Sequence, residues 1–255
     1  MRHLFVSDLH LDAAVPGAVS EFLQFLGDDA RGAASLHVLG DLFETWIGDD
    51  DPDPVRNEIC LALRALAESG TEVFVMQGNR DFLYGAQFER RSGATLIPDP
   101  VITTLCGERV LLTHGDLLCT GDHAYQELRS TLRDPGFRER VLTLPIDARQ
   151  LLAASARAGS KAHTSKAALT IMDVTEQAVI AAFEATGVLK MIHGHTHRPG
   201  SHRYATRMGD AERVVLAAWD DGGEYLEITA AGWTRKRVSP QRAVPSESET
   251  PDRGT

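Results

Sequence analysis

The chain has 255 residues, 43% of them hydrophobic, and 36 acidic against 26 basic side chains leave a formal charge of −10. That is enough apolar material for the core of one large domain or two small ones, and the negative balance excludes a general affinity for nucleic acid or anionic lipid, so any anionic partner must be held locally. Cys60, Cys106 and Cys119 are odd in number and lack CxxC spacing, which excludes a disulfide framework and a thiolate zinc site and suits a reducing cytoplasm.

No apolar run has the length of a signal sequence or a membrane span, so neither export nor a transmembrane segment is expected. In chain order, "HLFVSD" (3–8) predicts the first strand, and Asp8, His10 and Asp12 follow on alternate positions. Alternate residues of a strand point the same way, so a carboxylate and an imidazole are expected to project together from its end. "GAVSEFLQFLGDDARG" (17–32) and "NEICLALRALAESG" (57–70) carry apolar residues at helical spacing and close on glycine. Further strands are predicted at "LHVLGD" (36–41), "EVFVMQGN" (72–79), "RVLLTHGD" (109–116), "LKMIHGHTH" (189–197), "RVVLAAWD" (213–220) and "YLEIT" (225–229). The early alternation of strand and helix signals an α/β domain.

Five of these strands end in residues that can bind metal: Asp8 and His10, Asp41, Asn79, His114, and His195 with His197. In open α/β sheets ligands gather at the carboxyl ends of strands, which would bring the five segments to one edge. Taken singly each residue has a plainer role, since Asp caps helices, Gly-Asp makes turns and Asn tolerates left-handed backbone. Three alternating histidines, His193, His195 and His197, ask for more than one hydrogen-bond partner each, and metal binding is the common reason.

Two carboxylates, one amide oxygen and four imidazoles, with no thiolate, exceed the needs of one ion and suit two ions sharing Asp41. Such a pair holds both oxygens of a phosphoryl centre and generates hydroxide near neutral pH. The mixed N/O set favours Mn²⁺, Fe²⁺ or Zn²⁺ over Mg²⁺ alone.

Between 120 and 188 the strand signal gives way to helical text: "DHAYQELRSTLRD", "GFRERVLTLP", "ARQLLAASARAG" and "SKAALTIMDVTEQAVIAAFEATG". This predicts a helical insertion capping the sheet edge. Its middle part, 133–166, holds seven basic against three acidic side chains, a local excess of four in an acidic chain. The plainer reading of that excess is a set of solvated helix faces. The tail 239–255, rich in Pro, Ser and Glu, is expected to be disordered.

"DLHL", "GDLFETWIGDDD", "GNRDF", "THGD" and "HGHTHRP", in this order, resemble the calcineurin-like metallophosphoesterases, and more narrowly the UDP-2,3-diacylglucosamine pyrophosphatases (hydrolases) of lipid A assembly. The resemblance runs from about residue 3 to about 230. It implies an α/β, or α+β layered, sandwich of mixed β-sheets flanked by helices, with a helical cap, as a single domain over 1–238. It implies two Mn²⁺ ions, one held by Asp8, His10, Asp41 and His197 and the other by Asp41, Asn79, His114 and His195. The implied reaction is water attack on the pyrophosphate of UDP-2,3-diacylglucosamine, giving UMP and 2,3-diacylglucosamine 1-phosphate, with Asp41, Arg80 and His195 catalytic. Arg80 stands where the wider superfamily has His, and a guanidinium cannot act as an acid at neutral pH but can fork onto phosphate oxygens.

Substrate contacts are implied for Asn79, Arg80, His195, Asp122 and Ser160. Where the family has Asn this chain has Thr164, and its Lys is matched by Ala167, so Lys166 or Lys161 is expected to substitute. The lipid substrate implies peripheral contact with the cytoplasmic face of the inner membrane, with Leu142, Leu144, Ile146, Leu151 and Leu152 lying among the arginines; no obligate protein partner and no nucleic acid is implied. The competing readings are a broader metallophosphodiesterase or nucleoside polyphosphate hydrolase and, from another class, a non-catalytic scaffold that would be expected to have lost ligands.

Overall fold

Residues 1–166 and 173–239 are described by a computed structural model, with side chains over 1–159 and 173–239. In chain order the elements are β1 (His3–Val6), α1 (Pro16–Gly27), β2 (Ser35–Leu39), α2 (Pro54–Glu68), β3 (Glu72–Met76), α3 (Ala86–Ser92), β4 (Thr95–Ile97), β5 (Val101–Leu105) and β6 (Glu108–Leu112). A 3-10 turn (Asp116–Leu118) leads to α4 (His123–Arg133), α5 (Pro135–Leu142), α6 (Ile146–Lys166) and α7 (Glu176–Thr186), and then come β7 (Lys190–His193), β8 (Gly200–Thr206), β9 (Gly209–Val215), β10 (Glu224–Thr229) and β11 (Gly232–Arg237). Helix starts follow local chemistry: Asp53 accepts from the Arg56 N–H ahead of Pro54, and Thr175 caps α7 through the Ala178 N–H.

Alternation within the strands stacks the layers. Leu4 and Val6 of β1, Leu36 and Val38 of β2, and Val73 and Val75 of β3 face α1 and α2, where Phe22, Phe25, Ile59 and Leu63 meet them. The opposite face, Phe5, Leu39 and Met76, packs on Val110, Leu112, Ile192 and Val214 of a second sheet, whose far side, Leu111 and Met191, receives Val179 and Phe183 of α7. The result is helix, sheet, sheet, helix, with side-chain period 2 deciding which layer each residue joins. The first sheet has the order β11-β10-β1-β2-β3-β4 and the second β5-β6-β7-β9-β8. Strands β1 to β4 run parallel, as do β6, β7 and β9, while β10, β11, β5 and β8 pair antiparallel with their neighbours.

The α/β reading thus resolves into two mixed sheets flanked by helices. β4, β5, β8 and β11 had no strand signal in the sequence because they are short or polar, and all four lie at sheet edges where only one flank is paired. "ARQLLAASARAG" does not end at Gly159: α6 continues to Lys166. Residues 167–172 and the tail expected to be disordered, apart from Ser239, lie outside the described residues. Among the described residues no helix is long and apolar enough to cross a membrane.

α4 and α5 bury no residue of their own, and polar clamps hold them to the sheets. Arg129 Nε lies 2.9 Å from Asp116, Arg133 donates to the Gln77 and Gly78 carbonyls at 3.0 and 3.2 Å, and Arg138 donates to the Tyr84 carbonyl. Arg149 of α6, buried, donates to Ile47 O and Asp50. The basic excess read from the sequence as a partner signal is therefore spent in part internally: Arg133, Arg138 and Arg149 fasten the insertion.

On the inner face of β2, His37 stacks between Phe5 and Phe74 at 4.6 and 4.8 Å, with one nitrogen 3.0 Å from Ser35 Oγ. Burial, reinforced by His3, pushes its pKa down to about 3 from 6.5. The folded state resists this proton and the unfolded chain accepts it, so His37 stabilises the fold above pH 6.5 and that contribution is lost as pH falls toward 3. Unfolding free energy should drop by about 1.4 kcal/mol per pH unit from this residue between pH 6 and 4. Urea titrations across that range should show a shallower slope for His37→Leu; an unchanged slope would contradict the assignment.

Candidate metal centre

All seven sequence-predicted metal-binding candidates sit just beyond the carboxyl ends of β1, β2, β3, β6 and β7, and the two sheets bring them to one place. The route differs from the strand-alternation argument. β1 stops at Val6, and Asp8, His10, Asp41, His195 and His197 all have left-handed backbone, with φ between 49° and 65°. Loops, not strand continuations, aim these side chains, and such strain in non-glycine residues persists only where surrounding structure enforces it.

Buried Asp81 is one enforcer. Its carboxylate accepts from the N–H groups of Gly78, Asp41, Leu42 and Phe43 and from the Tyr84 hydroxyl, tying the loop after β2 to the loop after β3. Glycines allow the close approach: a Cβ on Gly78 would collide with Asp41, and one on Gly194 with Ser7 and Asp8. Asp41 Oδ1 accepts from the Arg80 N–H at 2.8 Å, and Asp8 Oδ2 from the His195 N–H at 2.8 Å.

The remaining donor atoms face one another. His10 Nε2 is 3.4 Å from His197 Nε2 and 3.9 Å from Asp41 Oδ2, which is itself 3.8 Å from His114 Nε2. Asn79 Oδ1 is 3.1 Å from both His114 Nε2 and His195 Nδ1, and Asp8 Oδ1 is 3.6 Å from His197 Nε2. Asp8, His10 and His197 form one cluster able to hold an ion, and Asp8, Asp41 and His114 a second. Asp41 Oδ2 thus lies between an imidazole of each predicted set.

Three observations fit this donor set to a cation. Asp8 Oδ1 is buried without a hydrogen-bond donor. The ring nitrogen turned away from the centre is occupied in two histidines: His114 Nδ1 donates to the Leu39 carbonyl at 2.9 Å and His197 Nδ1 lies 3.3 Å from Asp220, the outer support that metal-binding imidazoles show. Finally, the field is negative enough to draw protons. Burial should lower His10 and His114, yet Glu44, Asp41 and Asp8 raise His10 to about 9, and Asp41, Asp116 and Asp8 raise His114 to about 9. Burial would raise Asp8, but His197, His114 and His10 hold it well below the ordinary carboxylate range. His195 goes the other way, lowered to about 4 by burial and by His114.

His193, grouped with His195 and His197 by alternation, is not part of the centre. It is buried, bonded to the Gly194 carbonyl and 2.9 Å from Arg213, because β7 ends with it and the backbone turns only afterwards, at His195. Asp12 likewise only caps its own turn, accepting from the Ala14 N–H.

Arg80 presents its guanidinium at the rim, 3.9 Å from Glu44. Asp122 caps α4 by accepting from the Tyr125 N–H, which places it at the start of the insertion. Ser160, Thr164 and Lys166 fall on the α6 backbone, but their side chains, like that of Lys161, lie outside the described residues. Sequence reasoning missed Glu44, Asp81, Asp116, Tyr125 and Asp220. Tyr125 donates to Asp116 at 2.8 Å and its ring lies 5.6 Å from that of His195; no spacing pattern marks such contacts in advance.

The calcineurin-like phosphoesterase family matches residues 1–199. A protein named UDP-2,3-diacylglucosamine hydrolase from Salmonella arizonae is 47% identical over 90% of this chain and 95% of its own length. One of the same name from an Enterobacter species is 46% identical over 91% of this chain and 97% of its own. With that match over most of its length, the chain belongs to the calcineurin-like phosphoesterases, hydrolases that use divalent metal, on the branch that includes the UDP-2,3-diacylglucosamine hydrolases.

Proposed function

We propose that this chain hydrolyses the pyrophosphate bond of UDP-2,3-diacylglucosamine to UMP and 2,3-diacylglucosamine 1-phosphate, with Mn²⁺ as its metal. The observation that carries the reading is the gathering of Asp8, His10, Asp41, Asn79, His114, His195 and His197 at one edge, in a chain nearly half identical to relatives named for that substrate. Asp8, His10, Asp41 and His197 would hold one ion, and Asp41, Asn79, His114 and His195 a second. When bound, the metal supplies Lewis acidity at the phosphoryl oxygens and makes water a nucleophile near neutral pH.

The chain's own residues do the rest. Arg80 is fixed through its backbone, its N–H to Asp41 and its carbonyl accepting from the Trp46 N–H, which roots its side chain at the rim of the centre. There it offers paired donors to a pyrophosphate and charge to the transition state. His195, kept neutral by burial, adds a hydrogen bond. Asp122, Ser160, Thr164 and Lys166 contact the glucosamine lipid from the insertion.

We further place the protein in the cytoplasm, peripherally on the inner face of the inner membrane. Leu151 and Leu152 of α6 are 72% and 50% exposed, and Leu142 and Leu144 beside them are exposed too, a surface suited to the headgroup boundary. Flotation with anionic vesicles at low salt should carry the protein upward, and Leu151→Ser/Leu152→Ser should remain behind; failure of the natural protein to float would remove the membrane claim.

The deciding experiment offers UDP-2,3-diacylglucosamine and bis(p-nitrophenyl) phosphate to metal-stripped protein with and without Mn²⁺. Manganese-dependent release of UMP with little action on the diester supports the reading. Cleavage of the diester alone would leave a phosphodiesterase and reject the lipid substrate.

A further inference from the structure

Of the imidazoles at the centre, His114 leans on a main-chain carbonyl and His197 on exposed Asp220. His10 has a different arrangement on the side away from the centre: its Nδ1 lies 3.1 Å from Glu44 Oε2, while its Nε2 faces His197 and Asp41. The other carboxylate oxygen, Oε1, lies 3.9 Å from Arg80 Nη1 and 3.8 Å from Arg157 Nη1 of α6. Glu44 is about a quarter exposed, and its backbone is tied to the His10 loop, since its N–H donates to the Leu11 carbonyl and Leu11 pairs with Phe43. Two guanidinium groups 3.9 and 3.8 Å from one carboxylate oxygen attract it to their side and leave the other oxygen toward His10.

We propose that Glu44 is a positioning residue that fixes the His10 ring for a metal ion, and that Arg157 of the insertion holds Glu44 there. The inference rests on the reading of His10 as a metal-binding residue. Glu44 is not expected to touch the ion or the substrate. Its effect is to keep Nε2 turned inward, and supports of this kind are worth about ten- to a hundred-fold in metal affinity.

The test is calorimetric titration of metal-stripped full-length protein with Mn²⁺ alone, with melting of the metal-free protein as a fold check. Glu44→Ala should weaken Mn²⁺ binding about ten- to a hundred-fold. Glu44→Gln, which keeps an oxygen of the same reach beside Nδ1, should restore most of it. If the alanine variant does not fold, Glu44→Met removes the acceptor at similar volume and is compared with Gln in its place. Wild-type affinity in the variant lacking the acceptor, or Gln no better than it, overturns the role of Glu44. No Mn²⁺ binding by the natural protein overturns the metal reading itself, and the two failures are distinct because no substrate is involved.

Discussion

Arg80→Ala is expected to lower kcat about 10²- to 10³-fold, the scale of removing one preorganised charge-stabilising donor, while metal content stays at the natural level because Arg157 still flanks Glu44. The separation follows from geometry. The parts of Arg80 that organise the centre are main-chain atoms, its N–H on Asp41 and its carbonyl at Trp46, and alanine keeps both. What is lost is a guanidinium at the rim, whose nearest charged partner is Glu44 at 3.9 Å. Arg80→Lys should recover little, since an ammonium cannot fork onto two phosphate oxygens. Steady-state hydrolysis alongside elemental analysis of the purified variant provides the check; loss of metal together with activity would mean that Arg80 shapes the centre and not the transition state.

Asp41→Ala should behave in the opposite way, losing metal and activity together. Asp41 Oδ2 stands between His10 and His114, and Oδ1 anchors the loop that begins with Asn79 and Arg80. Removing it takes a ligand from both proposed ions and frees the Arg80 N–H, so kcat should fall by at least about 10³-fold. In the metal-free protein His10 and His114 lose the carboxylate that raises them, so their titration midpoints, followed by NMR of the ring protons, should move down from about 9. Full occupancy by two ions in this variant would contradict the bridge.

The early strands were legible because β1, β2, β3, β6 and β7 are nearly uniform apolar runs ending in glycine or polar residues, as strands buried on both faces must be. The edge strands β4, β8 and β11 were not, since a polar ribbon such as "GWTRKR" becomes a strand only by pairing with β10. Arg133 and Arg149 show a second limit: in the sequence they are charges on helices, and their hydrogen bonds to Gly78, Ile47 and Asp50 depend on where two distant segments meet.

What the sequence determined by itself is the donor set. Each ligand type is written next to a strand end, and chemistry fixes what carboxylates, an amide and imidazoles can hold together. Tertiary structure decided which members converge and why. Left-handed backbone at Asp8, His10, Asp41, His195 and His197, enforced in part by Asp81 and close glycines, turns the side chains inward, while His193, one residue before the turn, is left in the core against Arg213. Period-2 alternation cannot separate His193 from His195, because their directions are set by a turn at His195, closed by the Thr196 N–H on the Gly194 carbonyl, beside a close approach of Gly194 to the distant Ser7 and Asp8.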